Sequence, residues 1–349
     1  MTVVPERVLV GFSGGVDSAM AALLLREQGH AVHAVHMAVR DELGRGCGHP
    51  GDAEAARALA GQLGIPFTAI DCSSPYQSRV LAHFQREYIA GRTPNPCVVC
   101  NPVIKFTVLP DLAREAGIAF DRFATGHYAR IEYRTDLDRH VLLRGTDPGK
   151  DQSYFLYRLS PEQLAMTLFP LGGMTKREIR AGALARSIPV HDKPDSQDFY
   201  AGDYAELLGR EAAEGEIVRL DGSVVGRHDG YWHFTPGQRK GLGVAFREPL
   251  YVVRVEPEAN RVVVGTKEEQ LRRSCRIGDL CFAGSIPDHG TILQGKLRSA
   301  QPLKTMSIGE RSGETLEILF GEPHHGVAPG QSLVLYDGEM VVGGGVITA

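Results

Sequence analysis

In the first half of the chain, apolar runs one strand long alternate with stretches whose apolar positions recur at helical spacing. The run RVLVGF (7–12) predicts a buried strand, and AMAALLLREQGH a helix that stops near Gly29. AVHAVHM (31–37) predicts the next strand, DAEAARALAGQLG a helix, PFTAID a strand, and PYQSRVLAHFQREYIAG a helix ending at Gly91. FDRFATGH (120–127) predicts a further strand with a glycine at its exit. Continuous rather than alternating apolar strands, each followed by a helix, predict a parallel sheet covered on both faces. Such sheets bind ligands at the carboxyl ends of their strands. After about Lys193 the pattern changes. EGEIVRLDGSVVGRHDGYWHFTPGQ alternates and is rich in turns, and PLYVVRVEPEANRVVVG predicts a hairpin around PEAN. From about Cys275 short glycine-punctuated strands predict a small antiparallel barrel. The expected organisation is an α/β domain over 1–200, a small mainly-β domain over 201–273 and a β-barrel over 274–349.

A length of 349 residues suits two or three domains, and 43% hydrophobic residues suffice to give them cores. The formal net charge of −4 does not announce a nucleic-acid binder, although a balanced total can hide a local basic patch. No continuous apolar run of membrane-spanning length stands out, and the N-terminus lacks the build of a secretory signal, so the expectation is a cytoplasmic protein with no membrane partner. Six cysteines in such a chain are thiols, persulfides or metal ligands rather than a disulfide framework.

The segment VGFSGGVDSA ends the first strand and opens the first helix. Small residues let backbone N–H groups approach an anion, and a helix N-terminus favours negative charge there. No Gly-Lys-Ser/Thr follows, so it is not a Walker A loop. The block Ser-Gly-Gly-Val-Asp-Ser resembles the PP-loop of the N-type ATP pyrophosphatases, which split ATP between the α- and β-phosphates. The resemblance implies an ATP site built from Gly11, Phe12, Ser13, Gly14, Gly15, Val16, Asp17 and Ser18, with Asp17 holding magnesium. A carboxylate beside phosphates suits that ion. Met37 and Gly126 are placed beside the nucleotide by the same resemblance.

Further blocks follow in order: GRTPNPCVVCNPVIKF (91–106), ATGHYARI, GKDQSYFL, KPDSQDF, FTPGQRKGLG, GKLRS and GVAPGQSLVLYDGEMVVGGGVI. Together they resemble the tRNA-specific 2-thiouridylases (MnmA type) across nearly the whole chain. The resemblance implies adenylation of the C2 oxygen of a wobble uridine by ATP, then delivery of sulfur to C2 with loss of AMP. AMP is a good leaving group where the carbonyl oxygen is not, and thiolate-derived sulfur is a strong nucleophile. The implied partners are tRNA, through its anticodon region, and a sulfur donor such as a cysteine desulfurase or a sulfur carrier.

In the family the cysteine before N..IKF is the nucleophile, which is Cys100 here, and Cys97 stands three residues earlier. The family's second cysteine follows the DSQ block, where this chain reads DSQDFYAGDY and has none. Three readings stay open. Cys97 and Cys100 form a local dithiol; or Cys47 is the partner; or Cys97 and Cys100, with Cys47 or Asp198, ligate a [4Fe–4S] cluster. No second C-x-x-C has the spacing of a zinc site. The flanking prolines and asparagines predict that the pair lies on an exposed loop, and Cys72, Cys275 and Cys281 read as core.

For tRNA the resemblance implies contacts at Asn95, Pro96, Val98, Val99, Asn101, His127, Lys150, Asp151, Gln152, Arg298, Ser299 and Gln331. Arg239–Gly241 and Lys296–Ser299 add local positive charge for phosphates. The target base must leave its stack to react, which calls for a pocket under Asn95–Asn101. Two rival readings are an amidating or ligating PP-loop enzyme and a non-catalytic tRNA-binding relative. The first lacks a glutaminase domain or amine site, and the intact phosphate loop argues against the second.

Overall fold

Strand β1 (Arg7–Gly11) is buried over Val8, Leu9 and Val10, as a continuous apolar run at the centre of a parallel sheet requires. A computed structural model describes residues 4–40, 51–189 and 204–348. The chain divides into two compact units. One comprises Met1–Val80, Pro96–Gly202 and Glu339–Val341, and the other Leu81–Asn95, Asp203–Gly338 and Val342–Ala349.

In the first unit β1 pairs in parallel with β2 (Ala31–Ala38) and with β4 (Arg122–Thr125), while β3 (Phe67–Asp71) flanks β2. The hairpin β5 (Ala129–Arg134) and β6 (Arg139–Arg144) follows β4. The short β7 (Thr167–Leu168) completes a five-stranded sheet in the order β3-β2-β1-β4-β7. Helices Val16–Glu27, Asp52–Gln62 and Lys176–Ala185 bury Met20, Leu23, Leu59 and Ile179 in one core with Val8, Val10 and Phe12 of the sheet side. Each fully buried aliphatic or aromatic side chain there contributes about 1.5–3 kcal/mol. The order places the phosphate loop after β1, between β2 and β4, where adjacent crossovers leave on opposite sides.

In the second unit β8 (Gly215–Arg219), β9 (Val224–His228), β10 (Tyr251–Glu256) and β11 (Arg261–Gly265) form a four-stranded sheet. The hairpin expected around PEAN joins β10 to β11, turning on Asn260 in the left-handed region at φ 45°. Then β12 (Arg272–Phe282), β13 (Ile292–Lys296), β14 (Lys304–Ser312), β15 (Thr315–His324), β16 (Ser332–Asp337) and β17 (Met340–Ile347) close into an antiparallel barrel through the β12–β17 pairing. Ile277, Met306, Ile318, Leu333, Leu335 and Ile347 fill it. The expected fold, an α/β parallel-sheet domain followed by a small mainly-β domain and a β-barrel, is the one observed.

Candidate functional site

The loop after β1 is built as an anion cradle. Phe12 turns its ring into the core and ties its N–H to the Val35 carbonyl at 2.7 Å, which fixes the loop's start. Gly14 stands at φ +80°, and a Cβ there would lie 3.1 Å from Ala56, so the residue must be glycine on both counts. Helix Val16–Glu27 begins at Gly15 with no side-chain cap, which leaves first-turn N–H groups for a ligand. The Ser18 hydroxyl is 3.1 Å from the Gly15 carbonyl and 3.3 Å from the Ser13 hydroxyl, so two hydroxyls border the same turn. Val16 is buried like Phe12, and both present backbone rather than side chain to the cradle. Met37 is half-buried near the carboxyl end of β2.

Gly126 follows β4, and a Cβ on it would meet the Asp17 carbonyl carbon at 2.9 Å and the Ser18 nitrogen at 3.0 Å. The strand exit therefore rests directly on the phosphate loop. Gly126→Ala is expected to cost about 1–3 kcal/mol of stability by overpacking and to displace the loop. Thermal unfolding together with ATP affinity checks this; a variant that melts and binds ATP as the wild type does contradicts it.

The carboxylate expected to hold magnesium already has protein partners. The Lys176 ammonium lies 2.8 Å from both oxygens of Asp17, and the Tyr128 hydroxyl donates to Oδ1 at 2.7 Å. Lys176 is the first residue of helix Lys176–Ala185, whose N-cap Thr175 forms a capping box with Glu178. Its own N–H donates to Asp147 at 2.9 Å. The cap thus fixes where the ammonium emerges. Neither Lys176 nor Tyr128 was among the sequence candidates. The capping signature T-x-x-E was the available signal for Lys176, but it marks a helix start and not a ligand.

The two cysteines lie on a helix, not on an exposed loop. Helix Pro96–Glu115 starts at Pro96, where a missing N–H costs nothing, and Val98, Ile104, Phe106 and Leu109 bury its apolar side. By length and composition this helix could cross a bilayer, yet its apolar face is packed in the first unit, and Lys105, Asp111, Arg114 and Glu115 lie along it. Cys97 is half-buried and Cys100 is 6% exposed, three residues apart and so on one face. The next residue, Asn101, is 2% exposed. Its Nδ2 donates to the Phe155 carbonyl at 3.0 Å, while its buried Oδ1 finds no protein partner. A buried acceptor without a donor costs about 1–3 kcal/mol, which marks this spot beside Cys100 as one that a ligand donor can satisfy. Asn101 begins a π-helical stretch, Asn101–Val108, a feature frequent at functional sites.

His127 accepts or donates at Nδ1 to the Thr125 hydroxyl at 2.7 Å and lies 6.0 Å from the rings of Phe106 and Phe169. Burial, reinforced by the positive charge of Lys105, holds its pKa well below the usual histidine value. The imidazole is neutral at pH 7 and offers a hydrogen bond or a stacking face, not a cation. The expected core thiols Cys72 and Cys275 are buried, and burial pushes both up to about 12, which keeps them protonated and inert.

Several residues expected to meet tRNA are committed elsewhere. The Asp151 side chain is fully buried and accepts from the Gly145 and Ser153 N–H groups, each at 3.1 Å, so it anchors a turn instead of facing a substrate. Gln152 is zipped to Tyr128 by two 2.9 Å bonds, one through its backbone N–H and one through its side-chain oxygen. Lys150 is half-buried beside them. In the second unit Arg298 donates to the Pro236 carbonyl and Gln331 to the Thr93 carbonyl, each at 2.8 Å. Ser299 and Asn95 are half-buried. Lys296, expected to add surface charge, is 4% exposed, and its ammonium stands 5.9 Å from the Tyr336 ring. Arg239 and Lys240 are exposed. Cys47, Asp198 and the DSQ block lie outside the described residues. Among the described residues no three histidine, cysteine or carboxylate side chains gather as a metal site, so Cys97 and Cys100 supply two donors and no third.

Three family models tile the chain. A tRNA methyl transferase HUP domain matches residues 6–200, a tRNA methyl transferase PRC-barrel domain 206–266, and an aminomethyltransferase beta-barrel domain 272–347. The chain is 40% identical over 354 residues to the tRNA-specific 2-thiouridylase MnmA of Endomicrobium trichonymphae, covering 98% of each chain. It is 42% identical over 360 residues to the MnmA of Geobacter metallireducens, covering 99% of this chain and 97% of the relative. Among solved structures, the U34-tRNA thiolase NcsA from Methanococcus maripaludis with its [4Fe–4S] cluster overlaps 55% of this chain and 60% of its own, at 19% identity and a TM-score of 0.34. That likeness is too low to carry the cluster or its ligands across.

Proposed function

We propose, from the premise that this chain belongs to the tRNA-specific 2-thiouridylase (MnmA) family, that it is a tRNA-uridine 2-sulfurtransferase which adenylates its target with the Asp17 site and sulfurates it with the Cys97–Cys100 pair. The observation that carries the reading is the capless helix N-terminus at Gly15 with Asp17 and Lys176 beside it, in the same unit as a two-cysteine helix face. The adenylation domain is taken as 1–200, the central domain as 201–273 and the barrel as 274–349.

ATP places its β- and γ-phosphates at the first-turn N–H groups and the two serine hydroxyls. Asp17, a hard oxygen ligand at the loop, would hold magnesium, which would supply charge neutralisation at the phosphates. Arrival of the phosphates gives Lys176 a second anionic partner, which frees Asp17 for the cation. The uridine O2 attacks the α-phosphorus and pyrophosphate leaves.

Half-buried Cys97 accepts the sulfur from a donor, a cysteine desulfurase or a sulfur carrier, as a persulfide. The outer sulfur attacks C2, and the C2–O bond breaks with AMP as leaving group. The Cys100 thiolate then attacks the Cys97 sulfur and breaks the S–S bond to the product. This releases 2-thiouridine and leaves a Cys97–Cys100 disulfide, which an external thiol reduces. A cluster form of delivery needs a third ligand from outside the described residues. The family places the reaction on tRNA, and a cytoplasmic setting is consistent with it.

Binding of tRNA is assigned to the exposed Arg239 and Lys240 of the second unit and, separately, to the half-buried Lys150 of the first, in a chain of net charge −4. Affinity is expected to fall steeply with salt, and Lys150→Glu and Arg239→Glu each to flatten that slope by about one phosphate contact. Filter binding across a salt series measures it. Unchanged slopes in both variants remove these residues from the docking surface. Pyrophosphate release that depends on tRNA, measured beside 2-thiouridine in the digest, tests the function as a whole; an amidating or ligating enzyme would release pyrophosphate with no sulfur in the product.

A further inference from the structure

The π-helical stretch Asn101–Val108 has a cause in the sequence and a clamp in the fold. Pro102 has no N–H to give the carbonyl four residues back, and Pro110 likewise leaves the Phe106 carbonyl without an α-helical donor. The helix answers by widening: Cys100 is the N-cap of the wide stretch, and at its end the Leu109 N–H reaches five residues back to the Ile104 carbonyl. One side chain from another helix closes on it. The Gln163 amide nitrogen donates to the Pro102 carbonyl at 2.8 Å and to the Thr107 hydroxyl at 2.9 Å, with the Phe106 carbonyl at 3.3 Å. The Thr107 hydroxyl itself donates to Pro102 at 2.8 Å. The other end of the same amide accepts from the Ser160 N–H at 2.9 Å in a capping box, which fixes the orientation of Gln163.

Widening moves Lys105. At 3.6 residues per turn, a residue five positions on from Cys100 lies about 140° round the axis, away from its face. In a π-turn the same two residues are the ends of one hydrogen-bonded turn and share a side. The ring of the adjacent Phe106 stands 6.0 Å from that of His127, beyond the carboxyl end of β4, which places this stretch of the helix at the site.

We infer that Gln163 is a positioning residue for sulfur transfer: by holding the helix wide over Asn101–Val108 it keeps Lys105 on the Cys100 side, where an ammonium favours the thiolate. This rests on the sulfurating role proposed for Cys100. Gln163→Glu is the clean test, because a carboxylate still accepts from Ser160 but cannot donate to Pro102 or Thr107. Single-turnover sulfur transfer is expected to fall about tenfold or more, while pyrophosphate release stays within about twofold. In a Cys97→Ser background, the pH midpoint for alkylation of Cys100 is expected to rise in Gln163→Glu and in Lys105→Met alike. Thr107→Val, which removes one arm of the clamp, moves both readouts in the same direction and decides the matter if Gln163→Glu does not fold. A role in stability alone would slow both half-reactions together and leave the alkylation midpoint unmoved, and that result overturns the inference. Cys100→Ala run in parallel separates the two failures: if it transfers sulfur, the cysteine assignment is what falls.

Discussion

Asp17→Ala is expected to make almost no adenylate. Loss of one preorganised charge in a phosphoryl-transfer site costs about a hundredfold or more in rate, and this carboxylate is the one acidic group in the first turn of the loop helix. Lys176→Met is expected to lose pyrophosphate release to a similar extent, because the same 2.8 Å pair poises both charges at the phosphates. If the two act as a unit, the double variant is little worse than either single one. In Lys176→Met the Tyr128 hydroxyl still donates to Asp17, whereas Asp17→Ala takes the carboxylate from a Lys176 side chain that is 11% exposed, so thermal unfolding is read beside the assay. Pyrophosphate release with saturating tRNA measures the series. A folded Asp17→Ala that turns over normally removes the residue from the chemistry, and strict additivity in the double variant separates Lys176 from it.

Cys100→Ala is expected to keep pyrophosphate release and to abolish 2-thiouridine. Cys97→Ala should do the same. The reason lies in this chain, where the stretch DSQDFYAGDY holds no cysteine and burial keeps the Cys72 and Cys275 thiols protonated. Both of these are pushed up to about 12. Product analysis by nucleoside mass spectrometry, with pyrophosphate assayed in the same tube, reads both half-reactions. Wild-type thiolation by Cys97→Ala would break the pair.

The phosphate loop was legible because everything that defines it is local. Ser13–Ser18 carry the small residues, the helix start and the carboxylate within one turn of chain. The parallel sheet was legible from continuous apolar runs such as Val8–Val10, and the barrel from its short glycine-punctuated strands. Lys176 was not, because it stands 159 residues from the carboxylate it pairs with, and only the sheet order brings them together. Asp151 came from the resemblance alone, and nothing local reveals that two backbone N–H groups draw its carboxylate inward. Pro94, Asn95, Pro96 and Asn101 around the cysteines read as a loop. Pro96 instead opens the helix, and Pro102 is absorbed by a wide turn whose clamp, Gln163, lies 61 residues further on.

The central claim is that two thiols on one helix face carry out sulfur delivery. The most direct measurement is a single turnover with enzyme purified anaerobically, stripped of iron, loaded from a persulfide donor and mixed with ATP and tRNA. The expected result is one 2-thiouridine per loaded enzyme and, in the same sample, a Cys97–Cys100 disulfide in the peptide map in equal amount. Product that appears only after iron and sulfide are restored, or product formed with both thiols still free, would contradict the account.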